Sequence, residues 1–216
     1  MLLYLIRHGE TDFNVMKRLQ GRMDEPLNQK GIDLAVVTGR GLRGVHFDLA
    51  ITSPLLRAKQ TASLVLENSG NEGTPLLEDE HLIEISFGDW EGLCCADAHY
   101  EIPEPDFYQF FRDPFLMKRF PNGEHVEDVI LRTGAFLREL LAREDLQEKT
   151  ILLSSHGCAC RAMLNGLYDD PKDFWHGRVP YNCAVNIIEG RNGNAKILEA
   201  DKVYYDRGQI VDRYKK

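Results

Sequence analysis

Leu2-Leu3-Tyr4-Leu5-Ile6-Arg7-His8-Gly9-Glu10-Thr11 runs an apolar stretch into an arginine, a histidine and a glycine, and Ile151-Leu152-Leu153-Ser154-Ser155-His156-Gly157 does so again far downstream. Short apolar runs closed by glycine read as buried strands, and the glycine marks the turn at the strand end. Each run therefore delivers an imidazole to the point where the backbone leaves a strand. The first also brings a guanidinium, and such a pair suits the handling of phosphate.

Outward from these junctions, strands alternate with helices. Asn28 to Leu42 reads as a helix capped by Asn28, with Leu34, Val37 and Leu42 apolar and Gly31, Gly39 and Gly41 weakening it. Phe47 to Thr52 is a short strand. Ser53-Pro54 predicts a helix start, with Ser as N-cap and Pro at the first helical position, and the helix runs to about Asn68. Arg57 falls in its first turn, either beside the free amides of an anion-binding helix end or on a solvent-facing side. Val126, Val129, Ile130, Leu137, Leu140 and Leu141 give an amphipathic helix from about Glu124 to Arg143. Thr150 to Leu153 is the second marker strand, followed by a helix from Ala159 to Leu167. Ala184 to Glu189 and Ala195 to Ala200 flank Asn192-Gly193 as a hairpin. The expectation is an α/β fold of three layers, a largely parallel central sheet flanked by helices, with ligands beyond the carboxyl ends of its strands.

Residues 94 to 122 break the pattern with Tyr100, Phe107, Tyr108, Phe110, Phe111, Phe115 and Phe120 among four prolines. They predict a small inserted cap on a single domain spanning 1–216; the aromatics form a satellite core, a pocket roof, or both. The basic end Arg213-Tyr214-Lys215-Lys216 reads as solvated.

The 216 residues are 43% hydrophobic and 28% charged, with no apolar stretch near the ~20 residues that span a bilayer. The chain opens directly on a strand without a secretory pattern, and its five irregularly spaced cysteines do not form a disulfide framework. A cytoplasmic location is the expectation. A net charge of −8 disfavours nucleic acid and anionic membrane, so any positive pocket is local.

Arg7-His8-Gly9, Asn14, Gln20-Gly21, Ser53-Pro54 with Arg57, Glu84-Ile85-Ser86-Phe87-Gly88-Asp89-Trp90-Glu91-Gly92 and His156-Gly157 occur in one order. Together they resemble the histidine phosphatase superfamily, the phosphoglycerate-mutase-like proteins, over nearly the whole chain. The resemblance implies that His8 is a nucleophile that becomes phosphohistidine. Attack needs a neutral ring with one nitrogen held as N–H, and Arg7 and Arg57 disfavour the imidazolium by like-charge repulsion. The same arginines match phosphoryl oxygens, His156 and Asn14 add hydrogen bonds, and Gln20, Gly21, Phe87 and Gly157 fall among the substrate-binding positions. Glu84 is the implied general acid, which calls for a raised pKa, with Asp89 and Glu91 as rivals in its segment. Two positions depart from the family pattern. Cys158 follows the second His-Gly, and His125 stands where the family usually has Ser, either facing the pocket or capping a helix. Cys158 and Cys160 lie on different helix faces and lack a second ligand pair of zinc-like spacing, so no metal is expected, and no cofactor.

The fold implied serves both phosphomonoester hydrolysis and mutase-type phosphoryl transfer. Mutases of the family carry extra cations in the cap, including a lysine shortly after the general acid; here no lysine follows Glu84 until Lys118. From Cys94 to Met117 the only Arg or Lys is Arg112, against Asp97, Glu101, Glu104, Asp106 and Asp113. The stretch from Glu84 to His156 is also shorter than a mutase-like insertion. The expectation is a metal-independent phosphatase acting on a small phosphorylated metabolite, with α-ribazole phosphate, phosphoserine, sugar phosphates or a broad range all open. The alternatives are a cofactor-dependent phosphoglycerate mutase, or a non-catalytic phosphate-binding module, which would lack one of His8, Arg7, Arg57, Glu84 or His156. The expected partner is the small substrate; a homodimer is compatible with the sequence and not required by it.

Overall fold

In the computed structural model, which describes residues 1–206, 208 and 210, the first apolar run is strand β1 (Leu2–Arg7) and the second is β4 (Thr150–Ser155). They pair in parallel, Leu2 opposite Thr150 through Arg7 opposite Ser155. With β2 (Leu49–Thr52), β3 (Leu76–Glu78), β5 (Val185–Arg191) and β6 (Asn194–Lys202), they form a six-stranded sheet in the order β3-β2-β4-β1-β5-β6. The β3, β2, β4 and β1 strands are mutually parallel; β5 and β6 form the hairpin and add antiparallel to β1. The expected α/β fold with a largely parallel sheet is the one observed.

Both faces of the central strands are covered, which explains their continuous apolar runs. Leu3, Leu5, Ile151 and Leu153 point to one side, against Phe136, Leu137 and Leu140 of α5 (Val126–Ala142) and Met163 of α6 (Gly157–Leu164). Ile6, Leu152 and Val185 point to the other, against Leu34 and Ala35 of α2 (Gln29–Gly41) and Val65 of α3 (Leu56–Ser69). A third cluster lies over the carboxyl ends of the strands, where Phe107, Phe110 and Phe120 pack with Phe87, Ile85 and Trp175. Short helices α1 (Asp12–Met16) and α4 (Gln109–Arg112), unforeseen in the sequence, belong to this end, as β3 belongs to the sheet edge. The basic end at 213–216 lies outside the described residues. Among the described residues no helix is long and apolar enough to cross a membrane.

Two sequence expectations need correction. Ser53 does not cap α3: the helix begins at Leu56 with Leu55 in the cap position, and Pro54 precedes the first turn. The Ser53 hydroxyl instead accepts the Leu55 N–H (3.3 Å) and meets His156, so its capping capacity is spent elsewhere. Helix α6 starts at Gly157, two residues before the expected Ala159, because the Glu84 carboxylate from another segment caps it.

The glycines that weakened α2 on propensity grounds have a packing reason at Gly31. A Cβ there would lie 2.1 Å from the Glu10 carbonyl oxygen, and one on Gly9 would lie 2.6 Å from the Gly31 oxygen. Helix α2 is docked by its backbone onto the turn that follows His8, and Asn28 seals the contact through its N–H to the Glu10 carbonyl (3.0 Å). Gly31→Ala should therefore lower the urea midpoint, although helix propensity alone favours Ala by about 1 kcal/mol. Gly134→Ala in α5 meets only the flexible end of Arg138 at 3.3 Å and should raise it. Equal effects at the two positions would contradict the docking account.

Candidate active site

The parallel register of β1 and β4 puts His8 and His156 side by side beyond the strand ends, their rings 5.2 Å apart between centroids. The His8 N–H donates to the Ser155 carbonyl (2.9 Å), which continues the β1–β4 ladder one residue into the turn. His8 Nδ1 lies 2.6 Å from its neighbour, the Gly9 carbonyl oxygen. A carbonyl only accepts, so Nδ1 carries the proton and Nε2 keeps its lone pair. Burial first, then the charges of Arg57 and Arg7, hold His8 well below the ordinary histidine value, against the Gly9 bond. The ring is therefore neutral near pH 7, as the like-charge argument required; burial outweighs the arginines as the cause.

Arg7 and Arg57 flank it. Arg57, in the first turn of α3, is 0% exposed, which excludes the solvent-facing reading. Its Nη1 and Nη2 donate to the carbonyls of Met23 and Gly21, each at 2.8 Å, so the loop after α1 aims the guanidinium. Burial brings its pKa down to about 10, with Glu84 and Asp24 opposing, and the group stays charged at neutral pH. Arg7 Nη1 donates to the Pro180 carbonyl. The Nε atoms of both arginines are buried without a protein partner, as is Nδ1 of His156. Two buried guanidinium N–H groups left unpaired on the arginines beside His8 suit an anion, since an orphaned buried donor costs about 1–3 kcal/mol.

Glu84 comes from the segment before Phe87. Its carboxylate accepts the N–H groups of Cys158 (3.2 Å) and Ala159 (3.0 Å) at the α6 terminus, and that of Ile85 (2.9 Å). Its rivals are engaged elsewhere: Asp89 accepts from Asn122, and Glu91 accepts the N–H groups of Arg22 and Phe87. Gly21 adopts φ +50°, and a Cβ there would come within 2.2 Å of Glu91 Oε1, so this close contact between the two loops needs glycine. Asn14 and Gln20 also reach the site. Asn14 Oδ1 accepts from Thr11 N–H and from Asn182, leaving its NH2 for a ligand, and Gln20 Oε1 accepts from the Thr11 hydroxyl.

These groups line one cleft with about 530 Å³ of empty space: Arg7, His8, Asn14, Gln20, Gly21, Arg57, Glu84, Phe87 and Gly157 all border it, while His156 sits just behind. The rest of the wall is mostly apolar, from Leu19, Phe110, Phe111, Trp175 and Val179 with Cys95 and Cys158, beside Arg18, so the cap aromatics serve as both satellite core and pocket wall. His125 does not join them. It caps α5, accepting the Glu127 N–H, and its Nε2 meets the Met117 carbonyl at 2.9 Å. Cys158 borders the cleft whereas Cys160 is in the main core. Burial, with Glu84 second, pushes the Cys158 thiol well up, so it is not a thiolate at neutral pH.

Sequence reasoning missed four contributors. Trp175 and Val179 lie in a segment of Asp, Pro, Lys and Gly that carries no periodic signal; Trp175 is fixed by its Nε1–H to the Phe110 carbonyl (2.7 Å). Arg132 sits on α5, where only the apolar stripe was read. It donates to the carbonyls of His81 (2.8 Å), Ile83 (2.7 Å) and Glu84 (3.0 Å) and pairs with Glu124 at 3.0 Å, thereby fixing the Glu84 segment. Asn182 donates to the His8 carbonyl (3.1 Å).

A family model of the histidine phosphatase superfamily (branch 1) matches residues 3–202. Among curated relatives, 2,3-bisphosphoglycerate-dependent phosphoglycerate mutase 2 of Gloeobacter violaceus is 35% identical over 76% of this chain and 74% of its own length. The broad-specificity phosphatase YOR283W of Saccharomyces cerevisiae is 34% identical over 87% of this chain and 78% of its own. The solved structure of YhfR from Bacillus stearothermophilus superposes with a TM-score of 0.83 at 33% identity, covering 94% of this chain and 97% of that one. With two histidines and two arginines gathered at the ends of neighbouring strands, and a match running through nearly every element of the sheet, this chain belongs to the histidine phosphatase superfamily.

Proposed function

We propose that the protein is a phosphomonoester hydrolase that works through a phosphohistidine on His8 and acts on a small phosphorylated metabolite. His8 Nε2 attacks phosphorus in line with the ester oxygen. The P–O bond breaks as Glu84 delivers its proton to the departing alkoxide. Water then attacks the phosphohistidine, Glu84 takes the water's proton, and the N–P bond breaks to release phosphate and restore His8. Arg7 and Arg57 are fixed before substrate arrives, so they stabilise the charge on the equatorial oxygens without reorganisation. The proposed reaction draws its positive charge from these side chains and calls on no metal.

The observation that carries hydrolysis over transfer is the wall facing the leaving group. Among the described residues, the only cation bordering the cleft beyond Arg7 and Arg57 is Arg18, and it is committed to the Gly92 carbonyl (2.5 Å) and to Glu101 (3.0 Å). A mutase must hold a second anionic group of its sugar acid in both orientations, whereas Phe87, Phe110, Phe111 and Trp175 favour an apolar or neutral body. The mutase reading draws its support from the curated mutases that the chain resembles.

Incubation with a panel of phosphomonoesters in EDTA, followed by phosphate release, tests the proposal. Release should persist in EDTA and exceed the interconversion of 3- and 2-phosphoglycerate in a coupled assay. Faster interconversion would establish the mutase, and activity restored only by added metal would refute the mechanism.

The neutral histidines also set a pH dependence of stability. His8 and His156 are both held well below the ordinary histidine value of about 6.5, chiefly by burial. As pH falls below 6.5 the unfolded chain takes up protons that the folded chain refuses, so stability is lost down to the folded-state values. Each histidine contributes a slope of up to about 1.4 kcal/mol per pH unit in that window. Urea titrations at pH 7 and 5 should show a larger loss for the wild type than for a His8→Gln/His156→Gln variant. Equal losses would mean that these rings charge freely in the folded state.

A further inference from the structure

The chemistry proposed above leaves the protonation of His156 unassigned, and hydrogen-bond bookkeeping at Ser53 resolves it. His156 is 0% exposed, its Nε2 lies 2.8 Å from Ser53 Oγ, and its Nδ1 is buried with no partner in the protein. The Ser53 oxygen already accepts the Leu55 N–H at 3.3 Å. A serine hydroxyl has a single proton to give, and among the described residues the only acceptor it meets is His156 Nε2. If Nε2 carried the ring proton instead, the Ser53 hydroxyl proton would be buried without an acceptor and His156 Nδ1 would be a buried bare acceptor among guanidiniums. Two buried groups would then be unsatisfied rather than one.

We propose that Ser53 is a positioning residue: it donates its hydroxyl proton to His156 Nε2, fixes the ring proton on Nδ1, and so makes His156 a neutral N–H donor to the phosphoryl group. The assignment rests on the phosphoryl-site reading given above. It also gives the two histidines one tautomer used in opposite senses. His8 sends its Nδ1–H into the Gly9 carbonyl and offers a bare Nε2, while His156 has its Nε2 occupied by Ser53 and offers Nδ1–H.

The fold supplies the hydroxyl by withholding it from helix α3. Ser53 follows β2 directly, and its N–H donates to the Ser154 carbonyl (2.9 Å), which places it alongside the end of β4 and hence beside His156. Had Ser53 been the N-cap, its oxygen would have faced the first-turn amides. Starting the helix at Leu56 folds Ser53-Pro54-Leu55 into a local turn on the Leu55 N–H and leaves the hydroxyl proton for the imidazole. Burial, with Arg57, His8, Arg132 and Arg7 around it, keeps His156 from charging. A neutral donor there adds a hydrogen bond without repelling the two arginines.

The test is nitrogen NMR of the full-length protein labelled with 15N-histidine, titrated with inorganic phosphate. In the wild type His156 should show a protonated Nδ1 and a bare Nε2, and phosphate should move the Nδ1 signal. Ser53→Ala should transfer proton density to Nε2 and weaken phosphate binding about tenfold, the scale of one buried hydrogen bond to a charged group. Ser53→Thr, which keeps the hydroxyl, should restore both. A wild-type proton on Nε2 would overturn the proposal even if Ser53→Ala failed to fold, and so would an Nδ1 signal indifferent to phosphate. An Ser53→Ala protein with unchanged tautomer and phosphate affinity would also overturn it. Failure of the hydrolase reading shows separately, as absence of phosphate release by a wild type whose His156 spectrum and phosphate response are as stated.

Discussion

The pairing of β1 with β4 is the constraint on which the site depends. Leu2 to Arg7 lie opposite Thr150 to Ser155, and the His8 N–H extends that ladder by one bond. Because side chains alternate with period two, a slip of one residue would turn Leu3 and Leu5 from the face against α5 to the face against α2. It would also separate the two imidazoles. The apolar cores on both sides of the sheet therefore enforce the spacing of the two polar rings beyond the carboxyl ends of its central strands.

Around these rings the protein keeps positive charge in a dry place and leaves it partly unsatisfied. Arg57 is wholly buried, held by two carbonyls, with Nε free; Arg7 and His156 each leave a nitrogen unpaired as well. Such an arrangement costs folding stability, a cost that an anion bound in the cleft would offset. The net charge of −8 makes the contrast sharper, since the chain as a whole is anionic. Glu84 is bound to the start of α6 and through Arg132 to α5, so its carboxylate and the His8 ring are held on one frame.

Much of the frame was legible because its elements obey local rules. The two apolar runs ending in His-Gly, the stripe of α5 and the Asn-Gly hairpin each state their own structure. Arg57 was placed in the right turn of the right helix, but its burial was not legible, because the carbonyls that hold it come from Gly21 and Met23. Ser53-Pro54 misled for the same reason. A good local cap was overridden by a tertiary partner on β4's far end, His156. The Trp175 and Val179 wall was invisible in sequence, since a loop shows no periodicity and its contacts with the cap are all long-range.

In the proposed mechanism His8 is the nucleophile, kept neutral by burial and by the two guanidiniums beside it, with Nε2 left free by the Nδ1–H bond to the Gly9 carbonyl. Rapid acid-free quenching of a single turnover with 32P-labelled phosphomonoester, followed by peptide mapping, tests it most directly. Acid-labile, base-stable label is expected on the peptide containing His8, absent from His8→Gln together with turnover. Label on any other residue, or turnover undiminished in His8→Gln, would contradict it.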